Sequence, residues 1–145
     1  KGGFPAGAIV VKNGKLISKG VSLGFLLHDP TNHAETASIR EACKTLETSD
    51  LKGSTLYGNL QPCVMCFSVA NWAGIDRVVF SCRKTAEMIL IRYYEGKTEM
   101  DELNGQNTRK MELVYLPDLE NKSLELIRDW EKKNGLYPQK PHETS

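Results

Sequence analysis

Two short runs constrain this chain more than anything else in it. They are Pro62-Cys63-Val64-Met65-Cys66 and, about thirty residues upstream, His33-Ala34-Glu35. Cysteines at i and i+3 behind a proline place both thiols on one face of a helix, since residues three apart are neighbours there and proline suits the first helical position. A helix N-terminus also lowers a thiol's pKa through its dipole and free N–H groups, favouring the thiolate that a metal requires. Alone, the pair fits a metal site, a redox C-x-x-C or two core cysteines. A thioredoxin-like site would follow the first strand of its fold, whereas this motif lies past a hairpin and a helix. His33 changes the balance, because three protein ligands with one open position is how catalytic zinc is held. A closed structural site would need a fourth ligand from His28, Cys43 or Cys82. Cys43 lies about 15 Å along the same helix as His33, at about 1.5 Å per residue, and cannot share the ion.

Glu35 admits two readings. With Asn32 as N-cap it falls at N3, where glutamate commonly reaches back to the cap N–H in a capping box. Beside a metal-activated water it would instead carry a proton from nucleophile to leaving group. His33 and Glu35 are two apart, so they converge only at the fraying start of a helix.

The rest of the chain supplies a fold for these runs. Ala6–Lys12 and Lys15–Lys19 flank Asn13-Gly14, a hairpin signal, and Gly20–Asn32 reads as loop. Helical periodicity follows over 33–46, with Ala34, Ala37, Ile39, Ala42, Cys43 and Leu46 inward and Arg40, Glu41 and Lys44 outward. A short strand over 54–57, a helix over 62–72 ended by Gly74, and a strand over 76–82 come next. A helix is expected over 85–94, nothing regular over 95–108, a strand over 111–116 and a closing helix over 123–133. That last helix should turn Leu124, Leu126, Ile127 and Trp130 inward. A hairpin followed by alternating helix and strand implies a single α/β domain over 1–134. Its architecture would be a three-layer α/β/α sandwich, one five-stranded mixed sheet with helices on both faces. The stretch 135–145, with two prolines and no apolar period, is expected to be a flexible tail.

The chain has 145 residues, 26% of them charged, and a formal net charge of +1. That balance disfavours a protein whose main task is gripping a phosphate backbone. No apolar run reaches the roughly 18 residues of a membrane span, so no membrane partner is expected. Four cysteines in a chain large enough for an ample core point to a reduced, cytoplasmic setting.

Asp29-Pro30-Thr31-Asn32-His33-Ala34-Glu35 together with Pro62-Cys63-Val64-Met65-Cys66 resembles the cytidine-deaminase superfamily, in its branch of tRNA adenosine deaminases and bacterial guanine deaminases. The similarity runs from about Gly7 to Phe80. It implies one Zn2+ held by His33, Cys63 and Cys66 with water in the fourth position, Glu35 as proton shuttle, and usually a homodimer. It also implies hydrolytic deamination of a nucleobase or nucleoside, with Ser22, Ala34 and Trp72 as substrate-binding candidates. Trp72 could stack on a base, although an aromatic at a helix end is more often packing. Trp72-Ala73 and the run Ile39–Lys44 resemble guanine deaminases, whereas Val64-Met65 and Arg77–Phe80 resemble tRNA adenosine deaminases as much. The slight net charge favours a small purine, with tRNA as the alternative substrate and a non-catalytic zinc module as a second. Two departures stand out. Ser22 occupies the place where the family commonly has a base-contacting asparagine, and Gln61 the place where glutamate commonly precedes Pro-Cys. The family's N-terminal helix has no counterpart in these residues, which open on the loop before the first strand.

Overall fold

The computed structural model describes residues 3–135; the stretch expected as a tail lies, beyond Gly135, outside the described residues. Strands β1 (Gly7–Lys12) and β2 (Lys15–Val21) form the expected hairpin. Asn13 and Gly14 both carry positive φ, 53° and 73°, as a tight turn between twisted strands requires. A four-residue turn of helix, α1 (Gly24–Leu27), interrupts the stretch expected as loop. Then come α2 (Ala34–Leu46), β3 (Ser54–Gly58), α3 (Val64–Trp72), β4 (Arg77–Phe80), α4 (Ala86–Leu90), α5 (Met100–Gln106), β5 (Glu112–Tyr115) and α6 (Glu120–Asn134).

The sheet order is β2-β1-β3-β4-β5, as expected five-stranded and mixed. The hairpin pairs antiparallel with itself and with β3, while β3, β4 and β5 run parallel. Parallel neighbours need a crossover, which α3 supplies between β3 and β4. Val10, Leu56 and Val78 lie side by side in register on one face, all essentially without exposure, and α2, α3 and α5 pack their apolar residues there. Ile39, Phe67, Ala70, Met100 and Met111 complete that core.

The approach of α2 to the sheet is unusually close. A Cβ on Gly20 would stand 2.4 Å from the Ala34 carbonyl oxygen and 2.5 Å from the Ser38 nitrogen. The Ser18 hydroxyl donates to the Ser38 carbonyl at 2.7 Å within the same buried contact. Small residues on both elements permit this approach, and it fixes where α2 begins.

Four expectations need correction. The helix expected over 85–94 stops at Leu90, and Arg92 takes a left-handed φ of 70°. The stretch 95–108 contains α5, held by Met100 and Leu103 against the main core. Leu126 faces outward and is 45% exposed, while Ser123 takes the inner position beside Ile127. The cap of α2, treated below, falls one residue later than expected. Among the described residues no helix is long and apolar enough to cross a membrane.

Candidate active site

His33, Glu35, Cys63 and Cys66 meet where α2 and α3 begin, beside the carboxyl ends of β3 and β4, the end of an α/β sheet where crevices form. His33 is the N-cap of α2 in extended backbone. Its N–H donates to the Thr36 hydroxyl at 3.0 Å, and that hydroxyl in turn points to the His33 carbonyl at 3.1 Å and the Thr31 carbonyl. Thr36 therefore closes the capping box, and Asn32 does not cap. The Asn32 amide instead donates to the Val21 carbonyl at 3.4 Å. Glu35 is thereby relieved of the capping role considered for it.

The Glu35 carboxyl is 7% exposed and accepts from the Cys66 thiol at 3.5 Å. Burial, and then the nearby negative charge of Cys63, push its pKa up to about 7. Cys63 is the N-cap of α3, and its sulfur accepts from the Cys66 N–H at 3.5 Å. The His33 Nδ1 lies 3.4 Å from the Cys63 sulfur and 3.5 Å from that of Cys66. The two thiols share their first ionisation. Hydrogen bonding from Cys66 holds Cys63 down at about 6 against the pull of burial, and the same bond pushes Cys66 well up. His33 is raised, chiefly by its hydrogen bond to Cys63.

These distances test the site for metal. Tetrahedral zinc, with bonds of about 2.3 Å to sulfur and 2.0 Å to nitrogen, sets its ligand atoms roughly 3.6 Å apart. His33, Cys63 and Cys66 form a potential zinc site on that criterion. Among the described residues no fourth ligand joins the group, and Cys43, Cys82 and His28 are not brought to it. Cys82 is buried nearby, its thiol directed at the Arg83 carbonyl. Three ligands leave a coordination position open, as a catalytic site requires.

The site opens into a cavity of about 590 Å³. Ser22 and Ala34 line it together with His33, Glu35 and Cys63, and Phe25, His28 and Pro30 line it too. Trp72 does not reach it and stands 88% exposed at the far end of α3. The sequence reading missed Arg92, Tyr93, Tyr94 and Glu95, which also line the cavity. The Glu95 carboxylate accepts from the N–H groups of Val64 and Met65 at 3.2 and 3.1 Å. Partial burial opposes its ionisation, but its own backbone N–H and those of Met65 and Val64 hold it below the usual carboxylate range. The only outward sign in sequence was a Tyr-Tyr-Glu run at the end of an expected helix.

Residues 1–82 match the model of the cytidine and deoxycytidylate deaminase zinc-binding region. The tRNA-specific adenosine deaminase of Aquifex aeolicus is 47% identical over 81 residues, which is 56% of this chain and 54% of that protein. The guanine deaminase of Bacillus subtilis is 39% identical over 83 residues, 57% and 53% respectively. This chain thus spans about half the length of the curated relatives it matches. A solved structure from work on A-to-I editing by tRNA:A34 deaminases at the wobble position superposes with a TM-score of 0.70 at 28% identity, covering 84% of each chain.

Proposed function

The chain belongs to the cytidine and deoxycytidylate deaminase family, and from that premise we propose that it hydrolyses the exocyclic amine of a small purine, guanine being the base its cavity suits best. The observation that carries the reading is a buried carboxyl, Glu35, held beside three metal-ligating side chains on a cavity of about 590 Å³. The His33 Nδ1 and the sulfurs of Cys63 and Cys66 would hold zinc. Zinc there supplies Lewis acidity that makes water a usable nucleophile near neutral pH.

In this reading Glu35 takes a proton from the attacking water and passes it to a ring nitrogen. It then carries the second proton to the amine, which leaves as ammonia while the ring carbon keeps the water's oxygen. A buried carboxyl within reach of the metal ligands, shielded from bulk water, suits a group that must both accept and donate a proton. The stretch 92–95 favours guanine. Beside the amine that leaves, guanine carries a ring N–H donor, where adenine carries a ring acceptor. Glu95 offers a carboxylate acceptor in the cavity lining.

A tRNA-specific adenosine deaminase is the second reading, favoured by the 47% identity to the Aquifex protein. It requires RNA binding that weakens with salt, with a log–log slope of about −0.7 per single-strand phosphate neutralised. The deciding experiment incubates zinc-loaded protein with guanine, adenine, cytosine, their nucleosides and an anticodon stem-loop, and measures released ammonia. Turnover of guanine supports the first reading, and turnover of the RNA alone transfers the function to the second. A blank panel removes both. Glu35→Gln should retain zinc and lose turnover by about 10²-fold or more.

The end of α3 supports pairing with a second copy, because Trp72 stands almost fully exposed there as apolar surface seeking cover. Sedimentation of the wild type as a dimer and of Trp72→Glu as a monomer is expected; a monomeric wild type rejects the pairing. All four cysteines are unpaired, consistent with a reduced, cytoplasmic setting.

A further inference from the structure

Between α4 and α5 the chain has no regular structure from Ile91 to Glu99, yet this stretch supplies four residues of the cavity wall. Side chains from elsewhere hold it. The Lys84 side chain is 3% exposed, its ammonium donating to the carbonyls of Gly96 at 3.0 Å and Thr98 at 2.7 Å. The same ammonium lies 3.8 Å from the Glu99 carboxylate and 5.4 Å from the centre of the Tyr94 ring. Taking an ammonium out of water is costly unless acceptors replace its hydration. Here two loop carbonyls and a carboxylate do so, which ties the loop to the charge.

Gln61, immediately before Pro62-Cys63, uses every polar group it has. Its backbone N–H donates to the Cys82 carbonyl at 2.7 Å, and its backbone carbonyl accepts from the Tyr94 hydroxyl at 2.7 Å. Its side-chain oxygen accepts from the Lys84 N–H at 2.9 Å, and its side-chain nitrogen donates to Glu99 at 3.1 Å. One acceptor and one donor on the same short side chain is what an amide offers. A glutamate would keep the acceptor and set a second carboxylate against Glu99.

We propose that Gln61, Lys84 and Glu99 form a clamp that positions Tyr94 and Glu95 as the substrate-recognition wall. Gln61 and Lys84 are then positioning residues that govern affinity for the base, while the reacting groups stay on α2 and α3. The substrate role rests on the deaminase reading above; the clamp itself does not. Gln61 and Glu99 form a matched pair whose polarity can be reversed.

The test compares Gln61→Glu, Gln61→Glu with Glu99→Gln, and Lys84→Met, all on the zinc-loaded chain. It reads KM and kcat for guanine, zinc content, and amide exchange at Val64 and Met65, which donate to Glu95. Gln61→Glu is expected to raise KM about tenfold, a size normal for coupled residues in contact. Its kcat should stay within about twofold, its zinc should be retained, and both amides should exchange faster. The double variant recovers most of KM and protection, because the pairing is reversed and the Lys84 ammonium keeps its two loop carbonyls while the negative charge moves from position 99 to 61; Lys84→Met behaves as the first. A double variant no better than Gln61→Glu, or an unchanged KM in both single variants, overturns the clamp. If the wild type turns over no base, the deaminase reading fails by itself. Amide exchange then decides the clamp, with unaltered protection in Gln61→Glu overturning it.

Discussion

Replacing Gly20 with alanine tests whether sheet–helix contact sets the geometry of the metal ligands. The added Cβ would meet the Ala34 carbonyl oxygen at 2.4 Å and the Ser38 nitrogen at 2.5 Å, where ordinary contact begins at 3.4 Å. Neither neighbour is the end of a flexible side chain, so α2 itself must retreat by about 1 Å, given that such contacts are comfortable near 3.5 Å. Overpacking of this kind costs about 1–3 kcal/mol. For a chain of this length that is a fall in Tm of roughly 3–10 °C. The site should suffer separately, because His33 caps the displaced helix while Cys63 and Cys66 ride on α3. Metal ligands tolerate only about 0.2 Å, so zinc affinity should fall about tenfold or more. Thermal melts with and without zinc, and competition against a chromophoric chelator, measure the two effects. Gly14→Ala is the control: its φ of 73° makes alanine strained, but nothing lies within 4 Å. It should lower Tm by a few degrees, corresponding to about 1 kcal/mol, with zinc affinity unchanged. If Gly20→Ala melts with the wild type and competes equally for zinc, the close contact does not set the site.

Removing zinc with a chelator should destabilise the protein by about 2.7 kcal/mol relative to zinc at one hundred times its Kd, read as a lower Tm that added zinc restores. Cys82→Ala should cost about 1 kcal/mol of packing and leave zinc content unchanged; loss of zinc would show that the site has a fourth protein ligand. Asn59 accepts from the Gly7 N–H at 2.9 Å and donates to the Pro5 carbonyl at 3.1 Å, holding the strand that leads from Phe4. Asn59→Ala should destabilise by about 1–3 kcal/mol in denaturant titration, and a midpoint equal to wild type would refute that role.

The strands of the hairpin, α2 and α3 were legible because their signals are local. A two-residue turn sets one, a helical stripe the second and a proline with paired cysteines the third. The metal triad was legible for the same reason, since its ligand spacing lies within two short runs. The recognition wall was not. Arg92 to Glu95 take their places because Lys84 and Gln61 hold a loop that has no periodicity, and such contacts leave no mark in sequence. The position of α5 was hidden similarly: Met100 and Leu103 supply only two apolar contacts among polar residues, and the core they pack against comes from distant strands. The cap of α2 was misassigned because Asn32 is the stronger N-cap by type, yet its amide is drawn away to the end of β2.

The meeting of His33 with Cys63 has a consequence for the chain before it folds. The two are separated by 30 positions, and an ion gripping both would close a loop of that length in the denatured ensemble. By the chain-entropy relation for cross-links, closure at that separation removes about 3–4 kcal/mol of disorder from the unfolded state. The same ion that serves the chemistry would therefore act as a reversible tether between two β–α units, shortening the search that brings their helix starts together.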